Sequence, residues 1–426
     1  MQVMKWSVIA LAVAAGTTQM AVASQQSESN GFVDDSKLNI LSRNLYMNRD
    51  FRDNGAGGSE AANGQSYREA WGQGFIGTFE SGFTQGTVGV GVDAIGLLGI
   101  KLDSGEGRAW PDVFPTGSDG KPNDEYSELG GAIKFRVSNT VLKYGRQFVA
   151  LPVFSTDDAR LLPETAEGVL ITSDEISNLT LNAGRFTAIS AKAEADHDSI
   201  GLEEAYFVGG TYSFTDSLSS TLYFSDVQDA FKKYYGNLNA VIPMGDSQSF
   251  GLDFNIYQTE YDREFTNTGS DEDNTIWSLA GSYAFDAHKF TLAYQKSHGG
   301  FNGNGYLYGI DGGATVWLNN SVQYSDFFYE DEQSWQVRYD LDAAAYGVPG
   351  LSFMTRYVSG SNIEMGAGNS DAEEREWDIE AKYVLQNGPA KDLSFRVRQA
   401  FYNATNGLDN DLSDTRLIIE YPLSVL

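Results

Sequence analysis

The stretch Trp377-Asp378-Ile379-Glu380-Ala381-Lys382-Tyr383-Val384-Leu385 decides the fold. Trp377, Ile379, Ala381, Tyr383 and Leu385 are apolar and alternate with Asp378, Glu380 and Lys382, the period of two of a strand with one dry and one wet face. The pattern continues on both sides. Leu393, Phe395, Val397 and Phe401 alternate with Ser394, Arg396 and Arg398, and Trp335, Val337, Tyr339 and Leu341 with Gln336, Arg338 and Asp340. Upstream, Phe250, Leu252, Phe254 and Ile256 enclose Asp253 and Asn255, while Ile133, Phe135 and Val137 flank Lys134 and Arg136. A helical period of 3.6 is nowhere sustained, so the expected class is all-β.

Soluble sandwiches alternate too, and what lies between the strands separates the two cases. Short turns, at Ser81-Gly82, Thr215-Asp216-Ser217, Phe285-Asp286-Ala287-His288 and Gly388-Pro389-Ala390, alternate with long polar loops near 50–67, 101–127, 187–203, 260–274, 358–374 and 403–413. Short turns at one rim and long loops at the other define a transmembrane antiparallel β-barrel. Aromatic residues recur at strand ends, as at Trp71, Phe79, Phe83, Trp277, Tyr283 and Trp377, where interfacial girdles need rings half in lipid and half in water. The alternating segments number 18 to 20. The stretch 297–333 reads either as an extra hairpin or as one long loop.

The ends fit this reading. Lys5, the apolar run from Trp6 to Ala15 and Ala21-Val22-Ala23 form the three parts of a secretory signal, so 1–23 is expected to be cleaved and 24–426 to form one barrel domain. The apolar run is well short of the roughly 20 residues of a spanning helix. Cys is absent, which excludes disulfide stapling and thiol-bound metals. A mean hydropathy of −0.32 is compatible with a barrel, because the two faces average out. The net charge of −29 argues against nucleic acid as a partner.

Charge is sorted by position. Carboxylates crowd the long loops, whereas Lys134, Arg136, Arg338, Arg356, Lys382, Arg396, Arg398 and Arg416 fall on the inward phase of strands. Turned outward at mid-membrane, each such arginine or lysine would cost roughly 2–4 kcal/mol. Their parity therefore predicts a water-filled lumen. The alternative reading of each is the neutralisation of a lumen carboxylate such as Asp340, Asp378, Glu380 or Glu420.

The chain also resembles the OprD-type substrate-specific porins of pseudomonads, over almost its whole length. The matching stretches include MKWSVIALAVAAG at the start, LSRNLYMNRD (41–50), ESGFTQGTVGVGVDAIGLLGIKLD (80–103), ARLLPET (159–165), FGLDFNIYQT (250–259) and NSVQYSDF (320–327). YGVPGLSFMTRY (346–357), GPAKDLSFRVRQA (388–400) and EYPLSVL (420–426) continue the series. The resemblance implies 18 strands, an inward-folded third loop at 148–167, a seventh loop at 297–333 and a ladder of basic residues leading solutes to a constriction. That ladder falls on Arg49, Arg160, Arg396, Arg398 and Arg416, with Lys382 on the same inward phase. The acidic side includes Ser321 and Asp326, with an aromatic at Tyr306 or Tyr308. Leu426 stands where barrels commonly end in an aromatic residue, and the loop sequences depart from those of relatives where specificity resides.

The function expected is selective diffusion of small carboxylate-containing nutrients, aromatic or other organic acids and amino acids, through a pore in the Gram-negative outer membrane. No cofactor is called for. The expected partners are small charged solutes, outer-membrane lipid and lipopolysaccharide, with the protein a monomer or a homotrimer. Two alternatives come from other classes. A serine-type hydrolase needs a nucleophile beside a histidine, but His197, His288 and His298 are scattered, and no Gly-x-Ser-x-Gly elbow exists. A non-conducting adhesive barrel remains open, with Asp271-Glu272-Asp273 and Glu330-Asp331-Glu332 as oxygen-rich segments.

Overall fold

The computed structural model describes residues 24–52, 66–110, 112–365 and 371–426. The expected leader, 1–23, and the middle of the first long loop lie outside the described residues. Eighteen strands form one antiparallel sheet. They are β1 (Lys37–Phe51), β2 (Tyr67–Glu80), β3 (Val88–Asp103), β4 (Glu125–Val137), β5 (Thr140–Gln147), β6 (Thr165–Ile176), β7 (Leu179–Ser190), β8 (Ala205–Thr215) and β9 (Leu218–Val227). The second half comprises β10 (Phe231–Pro243), β11 (Gln248–Tyr261), β12 (Glu272–Phe285), β13 (His288–Gly299), β14 (Gln333–Asp342), β15 (Leu351–Ile363), β16 (Ala372–Val384), β17 (Ser394–Ala404) and β18 (Leu412–Ser424). Each strand pairs with its neighbour in sequence, and β1 pairs with β18 from Asn39↔Ser424 to Phe51↔Leu412, so the sheet closes without an edge.

The turns explain the up-and-down order. Ser138, Asn178 and Asp286 take positive φ values of 54°, 65° and 47°, which tight reversals between antiparallel strands require. These turns gather at one rim. The long loops gather at the other, and 300–332 carries no strand of the barrel, which settles the count at 18.

Side-chain parity matches the alternation. Val337, Ile379, Phe395, Val397, Leu417 and Ile419 are exposed on the outer face, the face that meets lipid. Aromatic rows bound this band: Trp277 with Tyr294, Trp335 with Tyr357 and Trp377 with Phe401 towards the long-loop rim, at 5.5, 5.5 and 5.7 Å between ring centroids. Phe285, Phe290 and Tyr339 form the row towards the short-turn rim. Phe83 joins neither girdle. It lies in the turn after β2, under Lys134 and Arg136 at 5.0 and 4.1 Å.

The lumen is partly filled. The third loop, 148–164, folds inward from β5 and begins with a small hairpin pairing Ala150 with Ser155 and Leu151 with Phe154. Phe154 stacks on Phe186 and Phe207 of the wall at 4.6 and 5.6 Å. Leu161 and Leu162 pack with Leu45, Met47, Ile76, Ile95 and Leu97, inward-facing but apolar because this loop and Trp110 and Phe114 cover them.

Candidate functional site

The seventh loop, 300–332, lies across the lumen and is anchored on several sides. Tyr261 Oη donates to the Gly305 carbonyl at 2.8 Å, Gln295 Nε2 donates to the Phe327 carbonyl at 2.7 Å, and Glu376 accepts from the Tyr324 and Ser325 amides at 2.9 and 2.8 Å. It also grips the third loop. The Ser155 amide donates to the Asp311 carbonyl at 3.1 Å, the Ala314 amide to the Ser155 carbonyl at 3.2 Å, and the Gly313 amide to Glu164 at 2.8 Å. The two loops therefore form one partition inside the barrel, and the seventh loop is tied to the wall of β14 to β18 through Gln336, Glu376 and Asp414.

That wall carries the inward basic residues in opposed pairs. Arg338 is the register partner of Arg356, Lys382 of Arg396, and Arg398 of Arg416. Like charges directly across a sheet repel, so each pair needs compensation from a carboxylate or from a passing anion. Carboxylates supply part of it. Arg356 meets Asp378 at 2.6 Å and Arg338 meets Asp340 at 2.7 Å, while Glu380 is shared by Arg396 at 3.5 Å and Arg398 at 3.2 Å. Lys382 has no ion pair or hydrogen bond among the described residues.

The expected ladder residues thus divide into two groups. Arg416 is closed off: its side chain is 4% exposed, pairs with Asp414 at 2.7 Å and donates to the Gln323 carbonyl of the seventh loop at 2.8 Å. Arg49 shares Asp414 at 3.0 Å and is held between Trp110 and Tyr324 at 4.8 and 4.5 Å. Arg396 and Arg398, with side chains 28% and 20% exposed, pair only with Glu380 among the described residues, and Nε of Arg398 is buried without a hydrogen-bond partner. Arg160, near the third loop's tip, has its nearest carboxylate, Asp112, at 3.9 Å, and its Nε has no hydrogen-bond partner. Burial, with Arg416 and Arg49 nearby, pushes its pKa down to about 10.

Within the seventh loop, the Tyr308 phenol donates to Asp326 at 2.6 Å and the Ser321 hydroxyl donates to the other oxygen of the same carboxylate. Burial raises the Asp326 pKa, and these two donors pull it back. Tyr306 has no exposed surface and donates to the Thr315 carbonyl, whereas Tyr308 is only partly buried. Parity alone missed Asp414 as the shared counter-ion, and Arg43, which bridges Glu420 at 2.8 Å and Asp158 at 2.7 Å. Arg416 and Asp414 share one strand phase, a signal present in the sequence. Arg43 precedes the covered apolar pair Leu45 and Met47, which hid its phase.

Among the described residues, no hydrogen bond joins a histidine to a serine hydroxyl. Ser297 points inward and its hydroxyl accepts from Asn274, whereas His298 is exposed and binds Asp331. His288 bonds Tyr339 and Tyr346, and His197 bonds Glu167. Asp271 pairs with Arg263, and Glu330 accepts from the Gly303 amide, so the two acidic segments are engaged within their own loops.

Comparison with known proteins agrees with this architecture. A family described as outer membrane porin, OprD family, matches residues 30–425. Porin D of Pseudomonas aeruginosa is 47% identical, over 100% of both chains. The crystal structure of OccAB1 from Acinetobacter baumannii superposes with a TM-score of 0.88 at 33% identity, covering 95% of this chain and 100% of the other. That of Pseudomonas aeruginosa OpdK with vanillate gives a TM-score of 0.81 at 34% identity, covering 92% and 100%.

Proposed function

The chain belongs to the OprD family of outer-membrane porins, and on that premise we propose that it selects small carboxylate solutes by passing them along Lys382, Arg396, Arg398 and Arg160. The observation that carries this reading is the opposed pair Lys382 and Arg396, which has no carboxylate of its own beyond the shared Glu380. A unit charge pair at 4 Å is worth ~1 kcal/mol in bulk water and ~4 kcal/mol at an effective dielectric of 20, so a narrow lumen amplifies a weak attraction. Guanidinium groups that retain free N–H donors exchange hydrogen bonds with a carboxylate in turn, replacing part of its hydration without trapping it. Arg49 and Arg416 hold the loops and shape the field rather than offer free donors. The OpdK structure is one with vanillate, an aromatic acid, and this pore is proposed to admit acids of that size.

Asp326, with Tyr308 and Ser321, favours a second class within the same reading. A solute with an ammonium or guanidinium group has a carboxylate facing the ladder and a counter-ion at the seventh loop, which fits amino acids. Proteoliposome uptake of erythronate against erythritol, which share a carbon skeleton, tests the main reading; the acid should enter faster. Equal entry would refute it. Competition by arginine, proline and benzoate then ranks the two classes.

A further inference from the structure

One cation outside the ladder ties the seventh loop to the wall. Lys233 stands on the inward phase of β10, and its side chain and that of Asp311 are both 0% exposed. Its Nζ lies 2.6 Å from Asp311 Oδ2 and donates to the Leu307 carbonyl at 3.3 Å. The Phe231 and Tyr306 rings close the remaining sides at 4.7 and 4.5 Å. The second oxygen of Asp311 accepts from Thr315 Oγ1 at 2.9 Å and from the Gly309 amide at 3.2 Å, curling 307–315 around the ammonium.

The two residues that Lys233 holds, Leu307 and Asp311, bracket Tyr308, the donor to Asp326 further along the same loop. The Asp311 backbone extends the tie to the third loop through Ser155, and the neighbouring Gly313 amide reaches Glu164. We propose that Lys233 is the positioning residue of the constriction: it fixes the 306–315 segment, and with it Tyr308, Asp326 and the third loop, at the separation from the basic wall that makes the pore selective. It touches no solute. A buried ion pair adds little net stability, because desolvation offsets its attraction, but it is exacting about geometry, and removing one partner strands the other charge. A stranded Asp311 finds water only by moving the segment.

The test uses K233M and K233M/D311L in planar bilayers and proteoliposomes, with heat-modifiable migration as the measure of barrel assembly. In K233M the single-channel conductance should rise, and the ratio of erythronate to erythritol flux should fall severalfold. K233M/D311L leaves no stranded charge, yet it lacks the bond to the Leu307 carbonyl. It should migrate as wild type, with raised conductance and a lowered flux ratio. Wild-type conductance in an assembled double variant overturns the proposal. So does failure of both variants to assemble, which assigns Lys233 to folding, or an equal fall of both fluxes. The inference rests on the pore being selective, but conductance reports loop position whatever the solute. A wild-type flux ratio of one would refute carboxylate selection and leave the conductance test standing.

Discussion

Lys382 and Arg396 face each other as direct register partners across β16 and β17, both on the lumen side, and only Arg396 reaches a carboxylate, Glu380, at 3.5 Å. In a folded sheet two like charges so placed repel by a few tenths of a kcal/mol or more. A lumen anion would relieve that repulsion, which is the physical basis of the proposed carboxylate selection.

Replacing Arg396 and Arg398 together by Gln retains polarity and approximate length while removing both charges. Monocarboxylate flux should fall by roughly tenfold, equivalent to ~1.4 kcal/mol of lost attraction, while erythritol flux stays near wild type. Proteoliposome uptake of the two solutes decides it. A matched loss would point to a distorted barrel, and no loss would mean that Glu380 already neutralises both arginines.

Glu380 predicts the opposite sign. It is shared by Arg396 and Arg398 at 3.5 and 3.2 Å, so E380Q frees two guanidinium groups at once. A carboxylate should then bind more tightly and leave more slowly, since conduction needs a site strong enough to enter and weak enough to leave. Measured as a concentration series, the half-saturating concentration should drop and the maximal flux should drop with it. An unchanged half-saturating concentration would remove Glu380 from the solute path.

Much of the barrel was legible because each strand is read independently. Trp377 to Leu385 needs only its own parity to be placed, and the turn at Asp286 needs only a residue that tolerates positive φ. The lumen was less legible because its partners are distant in sequence. Arg49 finds Asp414 across the closure of the sheet, and Lys233 finds Asp311 in a loop. No local pattern encodes either. Leu45, Met47, Ile95 and Leu97 broke the expected wet phase for the same reason: the third loop that covers them is remote in the chain. Tyr306 and Tyr308 are two residues apart, and only the fold determines which one packs against the wall.

Glu332, just before β14, supplies a pH dependence. Its Oε2 accepts from the Tyr329 amide at 3.0 Å, while its Oε1 is buried without a hydrogen-bond partner. Burial and the neighbouring Glu374 carboxylate hold its pKa well above the ordinary 4.5. The native state therefore holds this proton more tightly than the unfolded chain. The resulting stabilisation is full below about pH 4.5 and is lost as pH rises from there to the raised native value. The temperature of the heat-modifiable band shift should accordingly fall between pH 5 and pH 8 in the wild type and change less in E332Q, which mimics the protonated form. Identical slopes would exclude Glu332 as the source.

Gly74 on β2 tests the third loop from the side of the wall. A Cβ built there would lie 2.8 Å from the Leu161 carbonyl oxygen and 3.2 and 3.3 Å from the Leu161 and Leu162 side chains. The first of these is backbone and cannot rotate away, so the loop itself must shift, and Arg160 is the next residue. Gly77, one turn of the pleat further along and facing outward, would place its Cβ 3.5 Å from the Gly96 carbonyl, an ordinary contact. Overpacking of this kind typically costs about 1–3 kcal/mol. G74V should lower the band-shift temperature and push the loop towards the pore axis, reducing single-channel conductance and displacing Arg160 from the proposed carboxylate path. G77V should leave both measurements near wild type. Equal conductance in the two variants would mean that the third loop yields without narrowing the opening, and would separate Leu161 packing from the placement of Arg160.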